Sequence, residues 1–260
     1  MIPKAFILSW RQHAPWKEFY QIEQDLVISR ALVAIFSDPF LKEKLAFRGG
    51  TALHKLYLKP PARYSEDIDL VQLYHEPIGP LLKRINQAID FFPGKRQTQI
   101  KEHSAKIYYK FLAEYEDIPL RLKIEINTRE HFFVKELVSY PLEVKGEWFE
   151  GKADINVFHL DELIATKLRA LYQRNKGRDL FDLYYAAHKT KINLEEVVKI
   201  FKQYFRNDPP PGRKAFERNM FQKRLNPDFL KDTEGLLRAE LHYNPLEAFD
   251  WFFDKVIPLL

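Results

Sequence analysis

The sequence predicts an α+β protein: a mixed sheet with helices over residues 1–158, followed by a C-terminal helical domain over residues 159–260. Three observations carry this expectation. Residues 119–127 alternate cleanly, with Leu120, Leu122, Ile124 and Ile126 on one side and Arg121, Lys123, Glu125 and Asn127 on the other. That is the period of a strand with one apolar face. Over residues 45–73 a short apolar run, a double glycine, a helical stretch and a second apolar run follow one another. From Asp161 onward the apolar residues recur instead at spacings of three and four, as in Leu160, Ile164, Leu168 and Leu171.

Length and composition bound the classes of protein this can be. A chain of 260 residues buries a sizeable core and suits one large domain or two ordinary ones. With 46% hydrophobic and 30% charged residues it reads as globular rather than disordered. There are no cysteines, which excludes disulfides, zinc–thiolate sites and thiol nucleophiles and points to a cytoplasmic setting. Residues 1–10 hold a short apolar run without the cationic lead or cleavage site of a signal peptide. No apolar run approaches bilayer-spanning length, so no membrane partner is expected. The net charge of +5 admits an anionic partner such as RNA or a triphosphate without demanding one.

In chain order, residues 18–36 carry a helical stripe through Ile22, Leu26 and Val33, ended by Asp38-Pro39. This part reads as packing for the sheet. A short helix or turn over 40–44 leads into a strand over 45–48 and then Gly49-Gly50. Thr51 is expected to start a helix of about two turns, stopped by Lys59-Pro60-Pro61. A strand over 68–73 and a helix from Pro80 to about Phe91 follow, the latter burying Leu81, Leu82, Ile85 and Ile89. Pro93-Gly94 breaks the chain before strands over 106–113 and 119–127, joined at Asp117-Ile118-Pro119. Residues 128–158 are the least legible, with Asp154–Phe158 read as a last strand or an extended entry to the next helix.

In the second half, the helix from Asp161 is expected to end at Arg174–Gly177, with Gly177 just past its C-terminus. A helix from Arg178-Asp179 then points Leu180, Leu183, Tyr184 and Ala187 inward and places Asp179, Asp182 and Ala186 on another face. Asn193 with Glu196 caps the next helix. Asp208–Gly212 reads as a stiff linker, and helices are expected near 213–224, 229–241 and 246–256. Arg213, Lys214, Arg218, Lys223 and Arg224 form a basic cluster, either a solvated face or part of an RNA-binding surface.

The chemistry concentrates between residues 49 and 69. Asp67 and Asp69 sit two apart in a strand, so both carboxylates face the same way while Ile68 and Leu70 face the core. Two adjacent carboxylates each make the other costlier to ionise, and a divalent cation removes that cost. An all-oxygen set suits Mg²⁺. Gly49 and Gly50 let the backbone approach a ligand closely, and the free N–H groups at the helix start suit phosphate. Arg63, next to this site, would either hold a phosphate or pair with a carboxylate.

Gly49-Gly50-Thr51 followed by Ser65-Glu66-Asp67-Ile68-Asp69-Leu70 resembles the signature of the polymerase-beta-type nucleotidyltransferases. The Arg63-x-Ser65-x-Asp67-Ile68-Asp69 version, with Lys167 and then Arg178-Asp179-x-x-Asp182-Leu183, resembles the AbiEii/AbiGii toxin family in particular. A hydroxyl is kept at Thr51 where Gly-Ser versions carry serine. The resemblance implies a nucleotidyltransferase domain joined to a helical domain, in a toxin that moves a nucleotide onto tRNA or another RNA and has a cognate antitoxin. It implies that Gly49, Gly50, Thr51, Arg63 and Ser65 bind a nucleoside triphosphate, with Lys167 contacting its phosphates and Asp179 the acid that follows. Asp67 and Asp69 would hold two Mg²⁺ ions, with a third carboxylate drawn from a neighbouring strand. Glu125 fits by position, though a salt bridge to Arg121 or Lys123 explains it equally well. A protein or small-molecule acceptor of the aminoglycoside kind, and a non-catalytic nucleotide-binding module, stand as alternatives.

Overall fold

The structure is a computed structural model and describes residues 2–92, 96–206 and 208–260. The break expected at Pro93-Gly94 lies outside the described residues. The chain divides into two compact units, Met1–Phe158 and His159–Leu260.

The first unit opens with α1 (Lys4–Trp10) and α2 (Phe19–Ser37). Glu18 and Gln21 form a reciprocal capping box at the start of α2, meeting two otherwise unpaired N–H groups. The helix is buried around most of its circumference and packs against β-strands introduced below. Asp38 ends it and caps α3 (Pro39–Lys44), accepting from the amides of Phe40 and Leu41. Strand β1 (Leu45–Arg48) leads directly into α4 (Gly49–Ala52), which continues as a π-helical turn over Leu53–Tyr57. The helix thus starts at Gly49, two residues before the expected Thr51, because Gly49 takes φ +83°, open to glycine at no steric cost.

Strands β2 (Asp67–Gln72), β3 (Arg96–Lys101), β4 (Ser104–Leu112), β5 (Pro119–Asn127), β6 (Val138–Val144) and β7 (Gly151–Val157), with β1, form one sheet in the order β3-β4-β5-β2-β1-β7-β6. It is mixed: β2 runs parallel to β5 and β1 to β7, and the other pairs are antiparallel. Helix α5 (Gly79–Ala88) buries Leu81, Leu82 and Ile85; it stops short of Phe91, with Ile89 buried just beyond its end. The turn from β4 to β5 places Asp117 at φ +52°, a left-handed conformation that aspartate tolerates better than most residues. Residues 151–157 settle the open reading of 154–158: they form a strand, pairing β1 on one side and β6 on the other.

The second unit is helical: α6 (Leu160–Gln173), α7 (Gly177–Lys189), α8 (Leu194–Gln203), α9 (Arg213–Arg224), α10 (Pro227–Lys231), α11 (Pro245–Lys255) and a 3-10 turn over Ile257–Leu259. Asn193 caps α8 by accepting from the Glu196 amide at 3.1 Å. Three expectations change here. Gly177 does not close α6 but opens α7, and a Cβ there would run into the Phe229 backbone carbonyl. Glycine is needed for close approach of two segments, not for a left-handed cap. The helix expected over 229–241 is one turn, since residues 232–241 form turns and a bridge. Lys223 leaves the basic cluster: it is buried and donates to the carbonyls of Leu171 and Tyr172, and burial pushes its pKa down to about 8. Arg213, Lys214 and Arg218 stay exposed, with Arg213 bound to Glu217, while Arg224 pairs with Asp250.

Among the described residues no helix is long and apolar enough to cross a membrane.

Candidate active site

The site is built on one face of four adjacent strands. Ile68 and Leu70 of β2, with Leu122, Ile124 and Ile126 of β5, are buried on the opposite face, so the alternating residues must project from this one. Register then fixes the neighbours. Asp69 lies opposite Arg48 of β1 and Glu125 of β5, and Glu125 opposite Lys106 of β4. In the next row Asp67 lies opposite Lys123, and Lys123 opposite Tyr108. Directly opposed residues on neighbouring strands share a face, which gives two short rows of charge.

Lys123 joins the rows. Its Nζ is 2.6 Å from Asp67 Oδ2 and 3.3 Å from Glu125 Oε2. Lys106 reaches the other Glu125 oxygen at 3.0 Å. Arg48 turns instead to Glu130, at 3.3 Å. Burial pushes the Asp67 carboxyl above its ordinary value even though the Lys123 ammonium opposes the shift. Burial acts the same way on Glu125, but there Lys106 and Lys123 together outweigh it and hold the carboxyl below its usual range. The Lys123 ammonium, penalised by desolvation, is nevertheless held above its usual value by Asp67. Asp67 is thus an anion that the fold desolvates and then neutralises with a cation.

The diglycine bend closes on the same acids. A Cβ on Gly49 would overlap the Asp69 carboxylate, and one on Gly50 would stand 2.6 Å from Arg63 Nη2 and 3.2 Å from Ser65 Oγ. Thr51 ties the bend to the strand: its Oγ1 donates to the Asp67 carbonyl at 2.5 Å and lies 2.9 Å from Ser65 Oγ. The amides of Gly49, Gly50 and Thr51 belong to the first helical turn, which has no intrahelical acceptors. Gly49→Ala is therefore expected to cost more than about 1 kcal/mol in urea denaturation, through both its positive φ and the overlap with Asp69. Gly50→Ala, whose closest neighbour is the movable end of Arg63, is expected to cost less; the reverse order would count against this account of the bend.

Each residue singled out in the sequence can now be placed. Gly49, Gly50, Thr51, Ser65, Asp67, Asp69 and Glu125 come together through the contacts and register just described. Arg63 is buried, donating from Nη1 to the Tyr64 carbonyl at 3.0 Å and packing by Gly50, where it braces the bend. Among the described residues no three acidic or histidine side chains are gathered as a ready-made metal cage, and Lys123 reaches both Asp67 and Glu125. The donor set still suits a hard divalent ion: all-oxygen, on adjacent strands, and desolvated at Asp67.

In the second unit Lys167 is buried. Its Nζ is 3.3 Å from Asp179 Oδ1 and 2.9 Å from Asp182 Oδ2, both carboxylates being fully buried. Arg174 grips Asp179 through two bonds, at 2.7 and 2.9 Å. Burial would raise the Asp179 carboxyl, but Lys167 and Arg174 hold it below the usual range. The face of α7 carrying Asp179, Asp182 and Ala186 is thus as buried as its apolar stripe.

The central part of Lys123 escaped the sequence, where it stood only as an alternative partner for Glu125. Its period-2 position showed the shared face, but its place opposite Asp67 depends on register across strands far apart in sequence. In the same unit Tyr20, Tyr64, Glu66, Lys110, Phe111 and Arg121 line an open cavity of about 650 Å³.

Comparison with known proteins bears on the family and on the fold. A family model described as nucleotidyl transferase AbiEii toxin, type IV toxin–antitoxin system, matches residues 30–255. Among solved structures, the nucleotidyltransferase toxin MenT4 from Mycobacterium tuberculosis H37Rv superposes with a TM-score of 0.61 at 16% identity, covering 100% of this chain and 89% of that one. JHP933 from Helicobacter pylori superposes with a TM-score of 0.58 at 19% identity, covering 94% and 93%. No curated protein sequence matches.

Proposed function

The chain belongs to the AbiEii family of nucleotidyltransferase toxins of type IV toxin–antitoxin systems, and from that premise we propose that it transfers a nucleoside monophosphate from a nucleoside triphosphate to a hydroxyl of RNA, with tRNA as the expected acceptor. The observation that carries the reading is the meeting of Asp69 with the diglycine bend: an acid on the strand faces a main-chain turn that has no room for a side chain. The bend and Thr51 would take the polyphosphate, and Asp67, Asp69 and Glu125 would hold Mg²⁺ in a two-metal arrangement. Bound there, the metal would neutralise charge developing on the phosphates and lower the cost of ionising the attacking hydroxyl.

In the transfer, a bond forms between the acceptor oxygen and the α-phosphorus as the bond to pyrophosphate breaks; pyrophosphate departs and the hydroxyl proton passes to solvent water. The protein's share is positioning and electrostatics. Glu125, whose carboxyl lies below the usual range, suits a ligand better than a proton acceptor. Arg63 fixes the bend; Lys167 and Asp179, which the family resemblance offers as nucleotide contacts, are held in their own buried ion network. In favour of an RNA acceptor, the cavity lined by Lys110, Arg121, Tyr20, Tyr64 and Phe111, together with Glu66, offers cations and stacking surfaces of the kind that suit single-stranded nucleic acid. Cytoplasmic action and a cognate antitoxin fit the family.

The test is incubation with each labelled nucleoside triphosphate and Mg²⁺, with total tRNA, with other RNA, or with the protein alone. Label is expected in tRNA. Label in the protein alone would replace the acceptor, and no label in any arm, with Mg²⁺ or Mn²⁺, would reduce the site to nucleotide binding.

A further inference from the structure

We propose that Lys123 is the resident counter-cation of the acid face, and that a divalent metal enters by displacing its ammonium, so this lysine sets the site's metal affinity. The inference rests on the reading of Asp67, Asp69 and Glu125 as metal ligands. Its basis is position. One Nζ lies within 3.3 Å of oxygens from two of those acids, on two different strands, where a bridging cation belongs.

The lysine is not a mobile surface group that happens to reach the acids. Its Cα is locked opposite Asp67 on one side and Tyr108 on the other, in the interior of a seven-stranded sheet. The neighbouring positive groups cannot take its place. Lys106 is engaged by Glu125 Oε1, and Arg48 is drawn away to Glu130. Asp67 therefore depends on Lys123 for its charge balance in the absence of metal.

A divalent ion bound by the same two oxygens would sit at contact distance from the ammonium. Like charges that close repel strongly in a partly desolvated site. Metal and ammonium are thus competitors for one position. Binding must release the lysine from Asp67, and the free energy of that lost pair is subtracted from the metal's own. Were Lys123 merely a strut of the sheet, metal binding would leave it where it is and would not respond to its charge.

The experiment titrates metal-free protein with Mn²⁺, without nucleotide, and follows free Mn²⁺ by electron paramagnetic resonance. Lys123→Gln is expected to bind at least tenfold more tightly than wild type, and Lys123→Arg within about threefold of it. Equal or weaker binding by Lys123→Gln would overturn the proposal. Asp69→Asn separates the two levels of inference: if it binds Mn²⁺ like wild type, the metal-ligand reading itself falls. If it loses Mn²⁺ while Lys123→Gln gains nothing, only the lysine proposal falls. A second measurement uses wild type and needs no folded variant. Acetylation of Lys123 by an amine-reactive reagent, mapped by mass spectrometry, is expected to rise on addition of Mn²⁺; no rise would overturn the displacement.

Discussion

Asp69→Asn is expected to fold like the wild type and to lose nucleotide transfer by about 1000-fold or more. The substitution keeps the size of the side chain, so the close approach to Gly49 is preserved, and it leaves Ile68 and Leu70 in the core. What disappears is one negative charge beside Glu125, at a position of β2 whose side chain closes on the diglycine bend. A carboxylate holding a catalytic metal contributes several kcal/mol of transition-state stabilisation, and each 1.36 kcal/mol is about tenfold in rate. Labelled-nucleotide incorporation into RNA measures the loss, and a melting temperature close to wild type assigns it to chemistry. Equal incorporation by the variant would end the transferase reading at these residues. Loss of incorporation with a large fall in melting temperature would instead make Asp69 a structural acid.

How far the sequence could be read follows from where its information is local. Strand β5 matches its expected bounds because four apolar residues alternate with four polar ones over a half-buried strand. Strand β3 was not foreseen: Arg96–Lys101 is exposed along its whole length at the sheet edge, so no buried face imposes a period on it. Gly177 was misread because a glycine after a helix has two uses, a left-handed cap and a close approach, and only the distant Phe229 carbonyl decides between them. At the site, the shared face of Asp67 and Asp69 follows from spacing of two alone. The neighbours that give those acids their electrostatics, Lys123 and Glu125, come from a strand more than fifty residues on, paired through register that neither segment states by itself. The ion network of Lys167 was hidden for a related reason. An aspartate in a first helical turn serves the helix dipole when exposed, and nothing in Arg178–Leu183 announces that Asp179 and Asp182 are both inside.

That buried network sets the second large expectation. Lys167→Met is expected to destabilise the helical unit by about 3 kcal/mol, because it removes the cation shared by two fully buried carboxylates and leaves Asp179 to Arg174. Methionine fills a similar volume, so the loss is electrostatic rather than a cavity. The same network predicts a pH dependence. The Asp179 carboxyl is held below its ordinary value of 3.8 by Lys167 and Arg174 against the opposing effect of burial, so the stability it contributes is present above that value. It is lost as pH falls through the lowered folded-state value. As pH falls through and below 3.8, wild type is expected to lose stability more steeply than Asp179→Asn. Chemical denaturation at several pH values measures both effects. If Lys167→Met instead stays within about 1 kcal/mol of wild type but no longer incorporates nucleotide, the lysine acts on the phosphates and its carboxylate partners merely aim it. A loss of both stability and activity, with activity not recovered at low temperature where the variant is folded, would show that one side chain does both: it holds α6 to α7 and serves the nucleotide.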